Sequence, residues 1–294
     1  MTKLLGAIEA GGTKFVCGIG QEDGTILDRV SYPTTTPDET MELVLRYFAD
    51  KKVESVGIGS FGPIDPVLGS PTYGYITTTP KPHWGQFNLV GAVQDAMGVP
   101  IAFDTDVNGA ALGEYTWGAA KGLDSCLYIT VGTGIGAGAV VGGKLIHGLS
   151  HPEMGHLYVR RHPDDKFEGF CPYHGDCLEG LAAGPAIQRR WGKPAVELPQ
   201  DHPAWEMEAH YLAHALMGFV LTLSPQKIVM GGGVMKQSHL FPLIRAKVQE
   251  LLNGYVQHPS LNAGIDSYIV PPGLGDNAGL TGAIGLAKLA LERN

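Results

Sequence analysis

The chain has 294 residues, enough for two hydrophobic cores, and its 44% hydrophobic and 17% charged content is that of a folded globular protein. A formal net charge of -8 argues against a nucleic-acid surface, which needs a basic stripe, and 4 cysteines are too few for a disulfide framework. The opening residues MTKLLGAIEAGGTK meet glycine after a short run, with no signal-peptide core. No stretch approaches the ~20 apolar residues of a bilayer span, so a cytoplasmic protein without membrane partners is expected.

The first thirty residues alternate as strands do: Leu4 to Ala10, a turn at Gly11-Gly12, then Thr13 to Gly20. Asp23-Gly24 signals a hairpin into a third run, Thr25 to Tyr32. Thr36-Pro37-Asp38-Glu39 combines a capping hydroxyl, proline at the first helical position and glutamate at the third, predicting a helix to about Lys51. A buried strand follows at Val53 to Ser60, a helix at Leu89 to Met97, a strand at Val99 to Phe103 and a helix at Val107 to Trp117.

The second half repeats this order. Strands are predicted at Cys126 to Val131, Ile135 to Val141 and Lys144 to His147, then a long helix at Ala204 to Leu223. A strand at Lys227 to Met230, a helix at Leu240 to Leu252, a strand at Ile265 to Val270 and a helix at Asn277 to Leu291 complete the chain. Both halves read βββαβαβα, with insertions at 61–87 and 148–200, and Gly12-Thr13 recurs as Gly132-Thr133. Duplication of such a unit predicts an α/β protein with two mixed sheets flanked by helices. The expected domains are 1–118 and 119–275, with the helix at about 276–294 packing back on the first.

Gly11-Gly12-Thr13-Lys14 and Gly132-Thr133-Gly134 each join two predicted strands. Glycine lets main-chain N–H groups converge on a phosphate, and threonine adds a hydroxyl. Neither turn is a P-loop, since G-x-x-x-x-G-K-[ST] is absent. Either turn alone is as well explained by a tight hairpin, but two equivalent turns in a duplicated chain fit a clamp on one set of phosphates across a cleft.

GAIEAGGTKF resembles the first phosphate loop of the actin–hexokinase superfamily, with its duplicated ribonuclease H-like ATPase fold, and YITVGTGIGAG resembles the second. VMGGGV, carrying Gly231, Gly232 and Gly233, resembles the adenosine motif. Within that superfamily the chain is similar to the ROK family of sugar kinases and repressors, above all its bacterial zinc-containing fructokinases. The most specific segments are DTDVNGAALGE at 104–114 and HPEMGH at 151–156. Repressors of the family carry a DNA-binding helix-turn-helix, whereas this sequence starts at the phosphate loop, so the resemblance implies a kinase acting on ATP and a hexose, and a homodimer. It also implies ATP contacts at Gly184 and Pro185. Glu9 stands where the family usually has aspartate, one methylene shorter, and is assigned to magnesium-bound water.

Asp104 and Asp106 follow a predicted strand at its carboxyl end, where α/β sheets bind ligands, though either could cap the next helix. The family order N-D-x-N aligns Asp106 with the catalytic base and puts Thr105 in place of a sugar-contacting asparagine. The resemblance further implies sugar-hydroxyl contacts from Glu153, His156 and Glu179, and from a substrate loop containing Gly62 and Pro63. Carboxylates suit this role because each oxygen can accept from two hydroxyls, although Glu179 could equally be a surface charge. Thr79 to Trp84 looks like a second fructokinase loop in which Trp84 is either a sugar contact or a packing residue.

His156, Cys171, His174 and Cys177 form H-x14-C-x2-H-x2-C. Such spacing can present a tetrahedral sulfur and nitrogen set to zinc, with no position left open for catalysis, although chance clustering would give the same string. His174 departs from the family's usual third cysteine. Cys17 and Cys126 fall in predicted strands and read as core. The expected activity is ATP-dependent phosphorylation of the 6-hydroxyl of fructose, with Mg²⁺ for chemistry and Zn²⁺ for structure. A glucokinase, a mannokinase and a catalytically silent sugar sensor are the alternatives.

Overall fold

The computed structural model describes residues 3–293; residues 1, 2 and 294, at the ends of the ranges above, lie outside it. Strands β1 (Leu5–Ala10), β2 (Lys14–Gly20) and β3 (Ile26–Pro33) form an antiparallel meander. They are followed by α1 (Pro37–Phe48), β4 (Ser55–Ser60), the short β5 (Tyr75–Ile76) and β6 (Phe87–Asn88), α2 (Leu89–Met97), β7 (Ile101–Thr105) and α3 (Asp106–Thr116). β4 and β7 run parallel to β1, and the first sheet has the order β3-β2-β1-β4-β7.

The second half contributes β8 (Ser125–Val131), β9 (Ile135–Val141), β10 (Lys144–Leu145), α4 (Leu178–Ala182), α5 (Gly184–Trp191) and α6 (Ala204–Leu223). Then come β11 (Ile228–Gly231), α7 (Leu240–Leu252), α8 (Ile265–Tyr268), β12 (Ile269–Val270) and α9 (Ala278–Glu292). Its sheet has the order β10-β9-β8-β11-β12, the same path through space as the first. The duplication legible in the sequence is therefore a duplication of topology.

The cap of α1 forms as its sequence dictates, with the Glu39 N–H donating to Thr36 Oγ1 at 3.4 Å behind Pro37. One prediction is corrected. Ile265 to Tyr268 is a helical turn, because the Ser267 and Tyr268 N–H groups both return to the Gly264 carbonyl, and only Ile269–Val270 pairs as strand. Its apolar ends made the segment look continuous. The 148–200 insertion holds α4 and α5, which were not predicted.

The chain forms two compact units. One comprises Met1–Gly122, Gly138–Pro152 and Gly273–Asn294; the other comprises Leu123–Ala137 and Glu153–Pro272. In the first unit, Ile8, Phe15, Val44, Ile58 and Val93 fill a core on one face of the sheet. On the other face α9 lays Leu280, Ala283, Ile284 and Ala287 against Leu5 and Ala7. Fully burying Leu280 and Ile284 contributes about 1.5–3 kcal/mol each. α3 and α9 cross closely enough that a Cβ on Gly282 would lie 1.8 Å from the Gly109 carbonyl oxygen, so α9 tolerates no larger residue at Gly282.

Glu114 secures the places where the chain leaves and re-enters this unit. Its buried carboxylate accepts from Ala119 N–H (2.7 Å), Gly273 N–H (3.0 Å) and Leu274 N–H (2.9 Å). Glu114→Ala strands all of these partly buried donors, each costing about 1 kcal/mol, the low end of the range for buried groups. At roughly 2–4 °C per kcal/mol in a chain of this size, the thermal midpoint should fall by about 6 °C or more in calorimetry. An unchanged midpoint would show that water satisfies these groups.

Candidate active site and metal centre

The first unit holds the carboxylates. Asp106 opens α3, and its Oδ1 accepts from Val107 N–H at 2.9 Å. The helix cap is neither aspartate: Thr105 Oγ1 accepts from Asn108 N–H at 3.1 Å. Asp104 is buried and bonded through both oxygens. Oδ1 accepts from Thr105 N–H and Asn108 Nδ2, each at 2.8 Å, and Oδ2 lies 2.8 Å from His147 Nε2. That bond to Asp104 holds the His147 imidazole above its ordinary pKa, against the effect of burial. Asn108 completes the lattice by accepting from Ala139 N–H at 3.3 Å. The helix start that carries Asp106 is thus fastened to β7, β9 and the segment after β10.

The first phosphate-loop candidate is braced from β3. Gly11 N–H donates to Lys14 O (3.0 Å), while Thr34 donates through Oγ1 to Gly11 O (2.7 Å) and through N–H to Thr13 O (3.0 Å). Gly12, Thr13 and Lys14 remain exposed. Glu9 sits beneath this turn at the start of α9, where a Cβ on Gly279 would lie 2.4 Å from its carboxyl carbon. Burial pushes the Glu9 carboxyl up, and Lys14 pulls it down less strongly. A cation beside it would favour the ionised form.

The substrate-loop candidates lie in the same unit. Pro63, after a cis peptide bond from Gly62, accepts at its carbonyl from Thr77 N–H (2.8 Å) and Thr77 Oγ1 (3.0 Å). Ile64 N–H donates to His151 Nε2 at 2.9 Å, which makes that nitrogen the acceptor and pins the loop to the first residue of HPEMGH. Trp84 is a packing residue. It is 0% exposed, its ring meets Phe15, Phe61 and Phe87, and Nε1 donates to Thr35 O at 2.7 Å.

In the second unit, Gly132 N–H donates to Gly134 O (2.9 Å) and Gly184 N–H to Gly132 O (2.8 Å), so α5 starts on the second glycine turn. Pro185 follows at the second position of that helix. Glu179 is no solvated surface charge, for its Oε2 accepts from Ile135 N–H at 3.0 Å. Gly231 ends β11, and Gly232 takes φ +93° with a would-be Cβ 2.4 Å from the Val131 carbonyl oxygen, a position open only to glycine. Glu153 is exposed and precedes the short 3₁₀ turn Met154–His156.

His156, Cys171, His174 and Cys177 place one ligand atom each within 4.8 Å of all the others. His156 Nδ1 lies 3.5 Å from Cys177 Sγ and 3.7 Å from Cys171 Sγ, and His174 Nδ1 lies 3.7 Å from Cys171 Sγ. Bonds of about 2.3 Å to sulfur and 2.0–2.1 Å to nitrogen give a tetrahedron with edges of roughly 3.3–3.8 Å, so the set fits a zinc ion. A tight turn builds it: Cys171 and Gly175 exchange backbone hydrogen bonds of 3.1 and 3.0 Å. Cys17 and Cys126 are buried in β2 and β8, as read from the sequence.

The family signature of ROK proteins matches residues 5–290, nearly the whole chain. The chain belongs to the ROK family. A fructokinase of Pediococcus pentosaceus is 50% identical over 98% of this chain and 99% of its own length. Among solved structures, a ROK hexokinase from Thermus thermophilus superposes with a TM-score of 0.80 at 28% identity, covering 99% of this chain and 100% of that one. A ROK glucokinase from Streptomyces griseus, solved with glucose and AMPPNP, gives 0.78 at 26% identity over 98% and 100%. These relatives have the actin-like ATPase fold, and the paired sheets of this ROK chain are its two halves.

Proposed function

We propose that the chain is an ATP-dependent fructokinase that phosphorylates the 6-hydroxyl of D-fructose. The observation carrying the substrate is full-length similarity to a fructokinase at 50% identity, against 28% and 26% for the hexokinase and glucokinase. In this reading the halves 1–118 and 119–275 each supply one glycine turn, Gly11–Lys14 and Gly132–Gly134, to the ATP phosphates. Gly184, Pro185 and Gly231–Gly233 receive the nucleoside end. Asp106 takes the proton of the 6-hydroxyl. Gly62, Pro63, Thr105, Glu153, His156 and Glu179 position the sugar.

Mg²⁺ bound with ATP would supply charge neutralisation to the transferring phosphoryl group, and Glu9 would order its water. His156, Cys171, His174 and Cys177 would hold Zn²⁺ as a closed structural site. A cytoplasmic homodimer agrees with the family; among the described residues no helix is long and apolar enough to cross a membrane.

A panel of hexoses with Mg²⁺-ATP, followed by ADP release, tests the substrate. Fructose should have the highest kcat/KM, with phosphorus-coupled NMR placing the phosphate on carbon 6. A site built to bond a given hydroxyl strongly rejects analogues that lack it. Preference for glucose or mannose would assign another hexose, and the absence of ADP release with every sugar of the panel would favour a sensor.

A further inference from the structure

The second unit carries a separate concavity among the insertion, α6 and α7. Its volume is about 270 Å³, and it is lined by Arg160, Arg161, His210, His214, Lys247 and Glu250. Three fixed cations and two imidazoles face one acid, in a chain whose net charge is -8.

The hydrogen bonds show which groups are committed. Arg161 is spent, with one Nη2 contact to Asp176 at 2.9 Å and another donor bonded to the Phe167 carbonyl. Arg160 uses its carbonyl to accept from His210 Nε2 at 2.9 Å, and among the described residues its guanidinium has no partner. His214 Nδ1 donates to His210 O at 2.8 Å, so its Nε2 donates to a ligand when the ring is protonated, the form that an anion beside it favours. Among the described residues Lys247 pairs only with Glu250, at 3.6 Å, longer than a good charged hydrogen bond.

The rings crowd one another, His210 lying 4.2 Å from His214 and 4.9 Å from His162 between centroids. Burial chiefly, and then His214, His162 and Lys247, depress the His210 pKa against the bond to Arg160 O. The Arg160 guanidinium and the Lys247 ammonium are cationic donors in one concavity without a short acceptor, which an anion would supply.

We infer that this concavity binds a phosphorylated small molecule through Arg160, His214 and Lys247. Phosphate matches separated point and planar donors, and the volume, near the lower end of the ~300–1,000 Å³ of small-molecule sites, has room for a sugar-sized group beside it. The site is distinct from the glycine turns and the metal cluster. It nevertheless adjoins the metal-bearing insertion, since Arg161 links it to Asp176, the neighbour of Cys177.

The test follows the histidine ring NMR signals of the intact chain during titration with inorganic phosphate and, separately, glucose 6-phosphate. Potassium chloride of equal ionic strength is the control. Saturable shifts of His210 and His214 are expected with both phosphates, tighter for the sugar phosphate, and absent with chloride. Arg160→Gln with Lys247→Gln should weaken binding by about tenfold or more, the value of charged hydrogen bonds, while fructokinase turnover stays unchanged. Glu250→Gln should tighten it. Shifts equal to those in chloride, or undiminished in the double variant, overturn the site. The readout needs no catalysis, so its failure is independent of the kinase reading.

Discussion

Asp106→Asn should lower kcat with fructose and Mg²⁺-ATP by roughly 10²–10⁴-fold while leaving fructose binding nearly unchanged. The side chain keeps its volume, and its amide oxygen can still accept from Val107 N–H, the bond that orients it at the start of α3. What disappears is an oxygen able to take a proton. Asp104 makes a poor substitute although it lies two residues away. Both its oxygens are occupied, by Thr105 N–H, Asn108 Nδ2 and His147 Nε2, and it is buried. Replacing Asp104 should loosen the lattice beneath Asp106, whereas replacing Asp106 should remove chemistry from an intact lattice. Steady-state kinetics with calorimetric fructose titration separates the two. Near-normal turnover in Asp106→Asn would transfer the base to another group.

The fold was legible where local chemistry and periodicity agreed. Leu89–Met97, Ile135–Val141, Ala204–Leu223 and Leu240–Leu252 occupy the predicted ranges, because each combines a clear period with a stop such as Gly98 or Gly142. Ile265–Tyr268 failed since a short apolar segment does not distinguish a helical turn from a strand. α4 and α5 were missed because five and eight residues give too little period to read. Their start sites depend on long-range bonds, Glu179 to Ile135 and Gly184 to Gly132, which local sequence cannot announce.

The site divides in the same way. Glycine turns and the Cys/His string are local, and their spacing is visible in a line of text. His147, His151 and Glu114 were not singled out, for each acts on a group distant in sequence: Asp104, Ile64 N–H, and Gly273 with Leu274. An isolated histidine or glutamate carries no signal of such a partner. Trp84 is a case that the sequence leaves open. Its place in a substrate-like loop left its role open, and only three surrounding aromatic rings decide for packing.

Cys171→Ser with Cys177→Ser should reduce bound zinc from about one ion per chain to almost none by elemental analysis. Both sulfurs are buried, and each lies at a tetrahedral edge from His156 Nδ1. Zinc bound by small Cys/His peptides contributes about 10–16 kcal/mol, so even a fraction of that exceeds the usual cost of a substitution. The insertion will not dissolve entirely. Asp165 stays bonded to Arg190 (2.9 Å) and to Tyr211 (2.5 Å), and Arg161 to Asp176 (2.9 Å). The loss should therefore concentrate around His156 and Glu153, which precede the metal turn, and appear as a lower melting temperature with a raised KM for fructose. Binding of an ATP analogue should change less, because Gly132 and Gly184 are joined by their own backbone bond. A metal-free variant with wild-type melting temperature and KM would separate the cluster from both stability and the sugar site.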